Sequence, residues 1–231
     1  MTDTVLAWHD GSLHHLSRAE WASVCASFLG SGFRVDLPGG AQRDEAADYE
    51  WDRVVKVADL LRAPVSSTDW QQAVHSHADL DLEVTGGWPR AYSGTSSMWI
   101  ATEPIPDEPA IETAAPLPLR AHPRPTTGLP LFSRLADELA LASVDADCGL
   151  WIDPVGRVVT STAGPIIAQR ADGRWATGTD TATWLGRRTI AEHDATPDLR
   201  IEDLDTAPFV SLIRRARAVL PLVLVPAGSA T

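Results

Sequence analysis

The stretch Ala146-Asp147-Cys148-Gly149-Leu150-Trp151-Ile152-Asp153-Pro154-Val155-Gly156-Arg157-Val158-Val159 decides how the chain is read. Leu150 to Asp153 and Arg157 to Val159 are short apolar segments flanking Pro154-Val155-Gly156, which predicts a β-hairpin. A second hairpin is expected from Pro165 to Arg170 and Arg174 to Thr177, around Asp172-Gly173. Trp184 to Glu192 then reads as a short helix and the branched run Val219 to Val225 as a buried strand. Upstream, Leu131, Phe132, Leu135, Ala136 and Leu139 recur at helical spacing behind a Thr126/Thr127 cap. Pro116, Pro118, Pro123, Pro125 and Pro130 crowd between residues 115 and 130, marking a domain boundary near 120. The expected domains are 1–120 and 121–231.

The N-terminal half carries more helix. Val5 to Trp8 and the segment ending at Leu16 read as two strands about Asp10-Gly11. Ser17 with Glu20 forms a capping box, and Trp21, Val24, Cys25 and Phe28 continue the helix until Gly30 and Gly32. Asp48 to Leu61 repeats that period through Trp51, Val54, Val55, Ala58 and Leu61. A third helix is expected from Thr68, capped by itself with Gln71 at the third position, to about His77. Asp79 to Val84 alternates polar and apolar residues, the pattern of a strand with one wet face. A loop, Gly86 to Gly94, and strands at Met98 to Thr102 and Ala110 to Leu119 complete a largely antiparallel sheet. The fold class is α+β.

Composition narrows the function. The chain has 231 residues, 44% hydrophobic and 22% charged, as in globular proteins. Nineteen basic against 31 acidic residues give a net charge of -12, which disfavours nucleic acid as a partner. Apolar runs such as Val219 to Val225 fall far short of the ~20 residues that cross a bilayer. Met1 to Val5 shows no basic stretch and no apolar region follows, so a cytoplasmic location is expected. Cys25 and Cys148 lie far apart and read as buried thiols, not a zinc site. Eighteen of the basic residues are Arg, so Lys56 is the single candidate for Schiff-base chemistry.

Five strings in order resemble the class IV, fold-type IV pyridoxal-phosphate enzymes, which include branched-chain and D-amino-acid aminotransferases and aminodeoxychorismate lyases. Trp8-His9-Asp10-Gly11 is similar to the family's opening hairpin, and Glu50-Trp51-Asp52-Arg53 to its His-x-x-Arg helix. Asp79 to Gly87 resembles its central strand, Ala146 to Val159 its strand-turn-strand, and Glu202 to Pro221 its final strand pair. The resemblance implies a two-domain fold-type IV aminotransferase-like architecture and a homodimer. It also places the family's lysine near Thr126 or Thr127 and its pyridine-nitrogen carboxylate at Thr160. Neither threonine can form an aldimine, and a hydroxyl cannot hold a pyridine ring protonated. The phosphate loop is met by Trp184 to Thr189, which keeps Gly186. No cofactor is therefore expected.

The same segments supply the candidate site. Arg187 and Arg188 with Arg214 and Arg215 stand where the family frames a phosphate, joined by Gly186, Ser211 and Arg53. Guanidinium groups bind carboxylate or phosphate bidentately, so a small anionic metabolite is the expected ligand. A solvated arginine face balanced by Glu202, Asp203 and Asp205 explains the cluster equally. His122, Thr160, Thr162 and Lys56 are the weak catalytic candidates. Lys56 also reads as a solvated helix lysine beside Asp52 and Asp59, Cys148 as a structural thiol, and the threonines as strand-edge hydroxyls. His75, His77, Asp79 and Asp81 offer metal-ligand types without a fixed third-ligand spacing, and no metal is expected. The expected function is a pyridoxal-phosphate-independent lyase, isomerase or cyclase in a biosynthetic pathway. The alternatives are an inactive pseudoenzyme that binds a ligand or partner subunit, and an atypical pyridoxal-phosphate enzyme using Lys56.

Overall fold

A computed structural model describes residues 4–28, 31–91, 94–95, 97–105, 113–117, 131–132, 141–162, 164–180, 183–215, 218–221 and 223–225. Residues 90–91, 94–95, 131–132, 213–215 and 218–221 are described in backbone only. The chain divides into two units, Met1–Asp107 with Leu129–Ser133, and Glu108–Gly128 with Arg134–Thr231. Its class is α+β, as the sequence predicts.

In the first unit, β1 (Thr4–His9) and β2 (Ser12–Ser17) form a hairpin whose turn places Asp10 and Gly11 at φ 50° and 75°. Glycine takes that conformation freely and aspartate at modest cost, which suits a two-residue connection. Helix α1 (Arg18–Ala26) begins on the expected Ser17/Glu20 capping box. Next come β3 (Gly32–Leu37), α2 (Arg43–Leu61), α3 (Ser67–His75), β4 (Leu82–Gly87), the short pair β5 (Arg90–Ala91) and β6 (Gly94–Thr95), and β7 (Trp99–Pro104). The main sheet is antiparallel, in the order β2-β1-β7-β4-β3-β9, where β9 is Leu131–Phe132. On one face α1 covers Val5, Ala7 and Ala101 with Trp21 and Phe28. On the same face Arg34 pairs with Glu83 at 2.6 Å. The opposite face carries Phe33, whose ring meets Trp70 of α3 and Trp88.

In the second unit, β8 (Thr113–Pro116), β10 (Cys148–Ile152), β11 (Val158–Ser161) and β16 (Val223–Leu224) form a sheet in the order β11-β10-β8-β16. A second sheet has the order β13-β12-β14-β15, with β12 Ile166–Gln169, β13 Trp175–Thr177, β14 Phe209–Arg215 and β15 Ala218–Pro221. Cys148, Leu150, Val158, Ile166, Ala168, Leu199 and Leu212 share one buried cluster, so the two sheets enclose a common core. Helices α4 (Trp184–His193) and α5 (Ile201–Leu204) complete the unit. Both expected hairpins and the helix from Trp184 are present.

Several expectations need correction. Helix α2 begins at Arg43, not Asp48. Its first residue is buried, and the guanidinium donates to the carbonyls of Pro38 and Val74 at 2.6 and 2.7 Å and to that of Leu80. That anchor also explains why the alternating run from Asp79 does not start a strand until Leu82. The chain there is held as a turn by Arg43, by Gly39 N donating to Asp81 Oδ1 at 2.7 Å, and by Gly39 lying against the Asp79 backbone. Leu80 is left 48% exposed. The cap of α3 is Ser66, which accepts the Asp69 amide at 3.1 Å, so Thr68 lies within the helix.

The expected strand at Ala110 to Leu119 is described as Thr113–Pro116, and it runs parallel to β10 and β16 in the second unit, not in the first sheet. Leu131 and Phe132, expected to open a helix, pair with Gly32 and Phe33. The remainder of that helix, 133–140, lies outside the described residues, as does the Thr126/Thr127 cap. The run Val219 to Val225 is divided between two sheets, and Val223 is 64% exposed. Pro221 has no N–H to extend the ladder, which breaks the run at that point. Of the two thiols, Cys148 is buried and Cys25 only half-buried.

Candidate functional site

In the second unit the candidate residues gather about α4 and β14. Thr183 caps the helix: its Oγ1 accepts the Gly186 amide at 2.9 Å, and its carbonyl accepts the Arg187 amide. Gly186 is buried and Arg187 is exposed. Arg188 lies over the Trp184 ring at 5.3 Å and pairs with Glu192 one turn on, so its guanidinium is engaged within the helix. Helix α4 packs on β14. There Ser211 is fully buried, and its Oγ has no hydrogen-bond partner among the described residues. Arg214 and Arg215 extend the same strand, with only their backbone described.

The hydroxyls of β11 and the turn beyond it are already in use. Thr160 Oγ1 donates to the Gly164 carbonyl at 3.3 Å, and Ser161 Oγ donates to the same oxygen at 2.7 Å. Thr162 Oγ1 accepts the Gly149 amide at 3.1 Å, fastening the turn to β10. Cys148 is buried beneath them. Desolvation pushes its thiol up to about 11, with the Asp147 charge adding to this and a hydrogen bond with Ser161 opposing it. Such a thiol is no nucleophile near neutral pH.

In the first unit, Arg53 is buried and its Nη1 donates to Glu50 Oε2 one turn earlier on α2. Lys56, the only lysine, is exposed on the same helix. His75 bonds Asp44 at 3.2 Å while Asp81 holds Gly39, so these two residues, which offer metal-ligand types, are engaged elsewhere. Among the described residues no three histidine, cysteine or acidic side chains are grouped to hold a metal. His122 lies outside the described residues. Sequence reasoning passed over two residues here. Thr183 had a signal, a threonine before an apolar helix start, whereas the pairing of Glu50 with Arg53 depends on burial that spacing alone does not reveal.

No protein-family model and no curated protein matches this sequence. Solved structures do. A branched-chain aminotransferase from the thermophilic archaeon Thermoproteus uzoniensis matches at TM-score 0.69 and 16% identity, covering 98% of this chain and 88% of its own. A fold IV transaminase from Curtobacterium pusillum matches at 0.69 and 14%, covering 96% and 91%. The 4-amino-4-deoxychorismate lyase of Pseudomonas aeruginosa matches at 0.63 and 18%, covering 95% and 91%. At such identities the likeness establishes the fold: the chain has the fold-type IV aminotransferase architecture over nearly its full length. No helix among the described residues is long and apolar enough to cross a membrane.

Proposed function

We propose that this chain is an enzyme that keeps the fold-type IV scaffold without using pyridoxal phosphate, and that it acts on a small anionic or carbonyl-bearing metabolite. The step is of lyase, isomerase or cyclase type. Ser211 carries this reading. A fully buried hydroxyl without a partner among the described residues is costly to keep, and it lies on the strand that α4 covers and that continues into Arg214 and Arg215. Arg187, exposed at the start of α4, adds a further guanidinium group, and Arg188 beside it is held by Glu192. There the chain would bind and orient an anion.

The residues present argue against the cofactor. Bound pyridoxal phosphate would supply an electron sink, but it needs an amine to hold it and a carboxylate at its ring nitrogen. Lys56 is exposed, and Thr160 gives its hydroxyl to Gly164. Visible absorbance with added pyridoxal phosphate, then borohydride reduction and mass analysis of the Lys56 peptide, tests this point. A flat spectrum with an unmodified peptide is expected, and a reduced adduct on Lys56 would instead support the atypical lysine mechanism. Calorimetry with a dicarboxylate tests the anion site, since Arg187→Ala with Arg188→Ala should abolish the heat of binding.

A second reading, an inactive homologue that binds a ligand or partner subunit, is favoured by one observation. Thr160, Ser161, Arg53 and Arg188 all direct polar groups to intramolecular partners. Turnover of any candidate metabolite would reject it. The homodimer is tested by light scattering, where a monomer mass at micromolar concentration would reject that assembly.

A further inference from the structure

The main sheet of the first unit ends on β2, and among the described residues no strand pairs with its outer side. The two-residue turn makes His9 and Ser12 a hydrogen-bonded pair, so by alternation Leu13 and His15 direct their N–H and C=O groups away from β1. Gly11 and Ser17 continue that outward series, but their amides are already taken. Gly11 N donates to Asp69 Oδ1 at 2.9 Å and Ser17 N to Glu20 Oε2 at 2.7 Å. The open edge is therefore Leu13 and His15. Exposed edges are normally guarded by lysine or proline, and Ser12–Ser17 contains neither. Leu13 is 49% exposed there.

This edge is complementary to itself. Two antiparallel copies of β2, related by a two-fold axis at His14, set Leu13 opposite the partner subunit's His15 and His15 opposite the partner subunit's Leu13. Each outward amide and carbonyl of Leu13 and His15 then has a partner, and facing residues stay on one side of the pleat. A register shifted by two residues calls on the occupied amide of Gly11 or of Ser17. Charge supports the same register. Asp10 and Arg18, with side chains 64% and 57% exposed, lie equally far from His14 on its two sides. Each copy brings its Asp10 end to the Arg18 end of the other, in a chain whose net charge of -12 otherwise opposes self-association.

We propose that β2 is a self-association edge, through which a second copy of this chain joins its six-stranded sheet to this one. The two His14 rings then meet at the axis, each beside its own Trp99, 5.1 Å away. The edge would be the surface of the homodimer considered above, on whose existence it rests, and it is independent of the anion site about α4 and β14.

The full chain is tested by light scattering at micromolar concentration and by cysteine cross-linking. Wild type should show about twice the monomer mass of 24.8 kDa. His15→Pro removes an outward N–H and spares the bonds between β1 and β2, so it should keep its circular dichroism and run as a monomer. Leu13→Lys, which sets like charges on the edge, should also be monomeric and serves if His15→Pro folds poorly. His14→Cys stands at a non-hydrogen-bonded pair on the axis, with Cα atoms about 4.5 Å apart. Mild oxidation should link it as a dimer, against a wild-type background that carries the native Cys25 and Cys148. Leu13→Cys is offset from its own copy by more than the ~7 Å that a disulfide spans, and should not link. A monomeric wild type overturns this edge together with the homodimer. A dimer that persists in His15→Pro and Leu13→Lys, or His14→Cys that links no faster than Leu13→Cys, overturns the edge alone.

Discussion

Thr183 Oγ1 accepts the amide of Gly186 at 2.9 Å, so the first turn of α4 is capped by the chain itself. Thr183→Ala should cost about 1 kcal/mol in urea unfolding, the usual price of a lost N-cap. Thr183→Asp keeps the cap but adds a negative charge where an anion is proposed to sit. It should retain stability and weaken dicarboxylate binding; equal binding by both proteins would move the anion away from this helix end.

Ser211 gives a prediction of opposite sign. Burying an unpartnered hydroxyl costs about 1–3 kcal/mol, so Ser211→Ala should leave stability unchanged or raise it. The same change should lower affinity for the anionic ligand. A clear loss of stability would mean that the hydroxyl serves the core through an ordered water.

Arg43 anchors three segments of the first unit. Its guanidinium joins β3, the end of α3 and the turn before β4 through the carbonyls of Pro38, Val74 and Leu80, with His77 at 3.4 Å. Burial lowers its pKa, partly offset by Asp81 and Asp44. Arg43→Met leaves those carbonyls without a donor, and at about 1–3 kcal/mol for each buried group it should destabilise the chain by about 3 kcal/mol or more. Arg43→Lys should not restore the loss, because a compact ammonium cannot reproduce the planar fork. Chemical denaturation decides the matter, and a loss below about 1 kcal/mol would contradict the anchor.

Cys148 predicts an alkaline signature. Its folded value is raised to about 11, above that of an unfolded thiol near 9.0. The neutral thiol therefore contributes stability in full below the unfolded value, and that contribution is lost as pH rises toward 11. Stability should decline over this window and decline less in Cys148→Ala. Native protein should resist thiol reagents at Cys148 until it is unfolded.

Much of the fold was legible because its signals are local. The Ser17/Glu20 capping box, the Asp10-Gly11 and Asp172-Gly173 turns and the helix after Thr183 each depend on neighbours within a few residues. Errors arose where distant groups took over. Asp79 to Asp81 alternates like a strand yet is held as a turn by Gly39 and Arg43, and Leu131 reads as helix yet extends a sheet beside Gly32 and Phe33. The candidate site was legible as a set of residue types, whereas the partners of Arg53, Arg188 and Thr160 were not.

The sequence by itself determined the α+β class, the helix after Ser17, the helix from Trp184, the hairpins, and a single lysine beside eighteen arginines, because periodicity, turn residues and composition act along the chain. Only the tertiary structure decided that Thr113–Pro116 runs parallel to Cys148–Ile152, that Ser211 is buried without a partner among the described residues, and that Glu50 and Arg53 pair in a buried position. Those outcomes depend on which surfaces meet and exclude water. Burial turns an ordinary i,i+3 pair into a desolvated one, and it leaves an ordinary serine hydroxyl without a partner among the described residues.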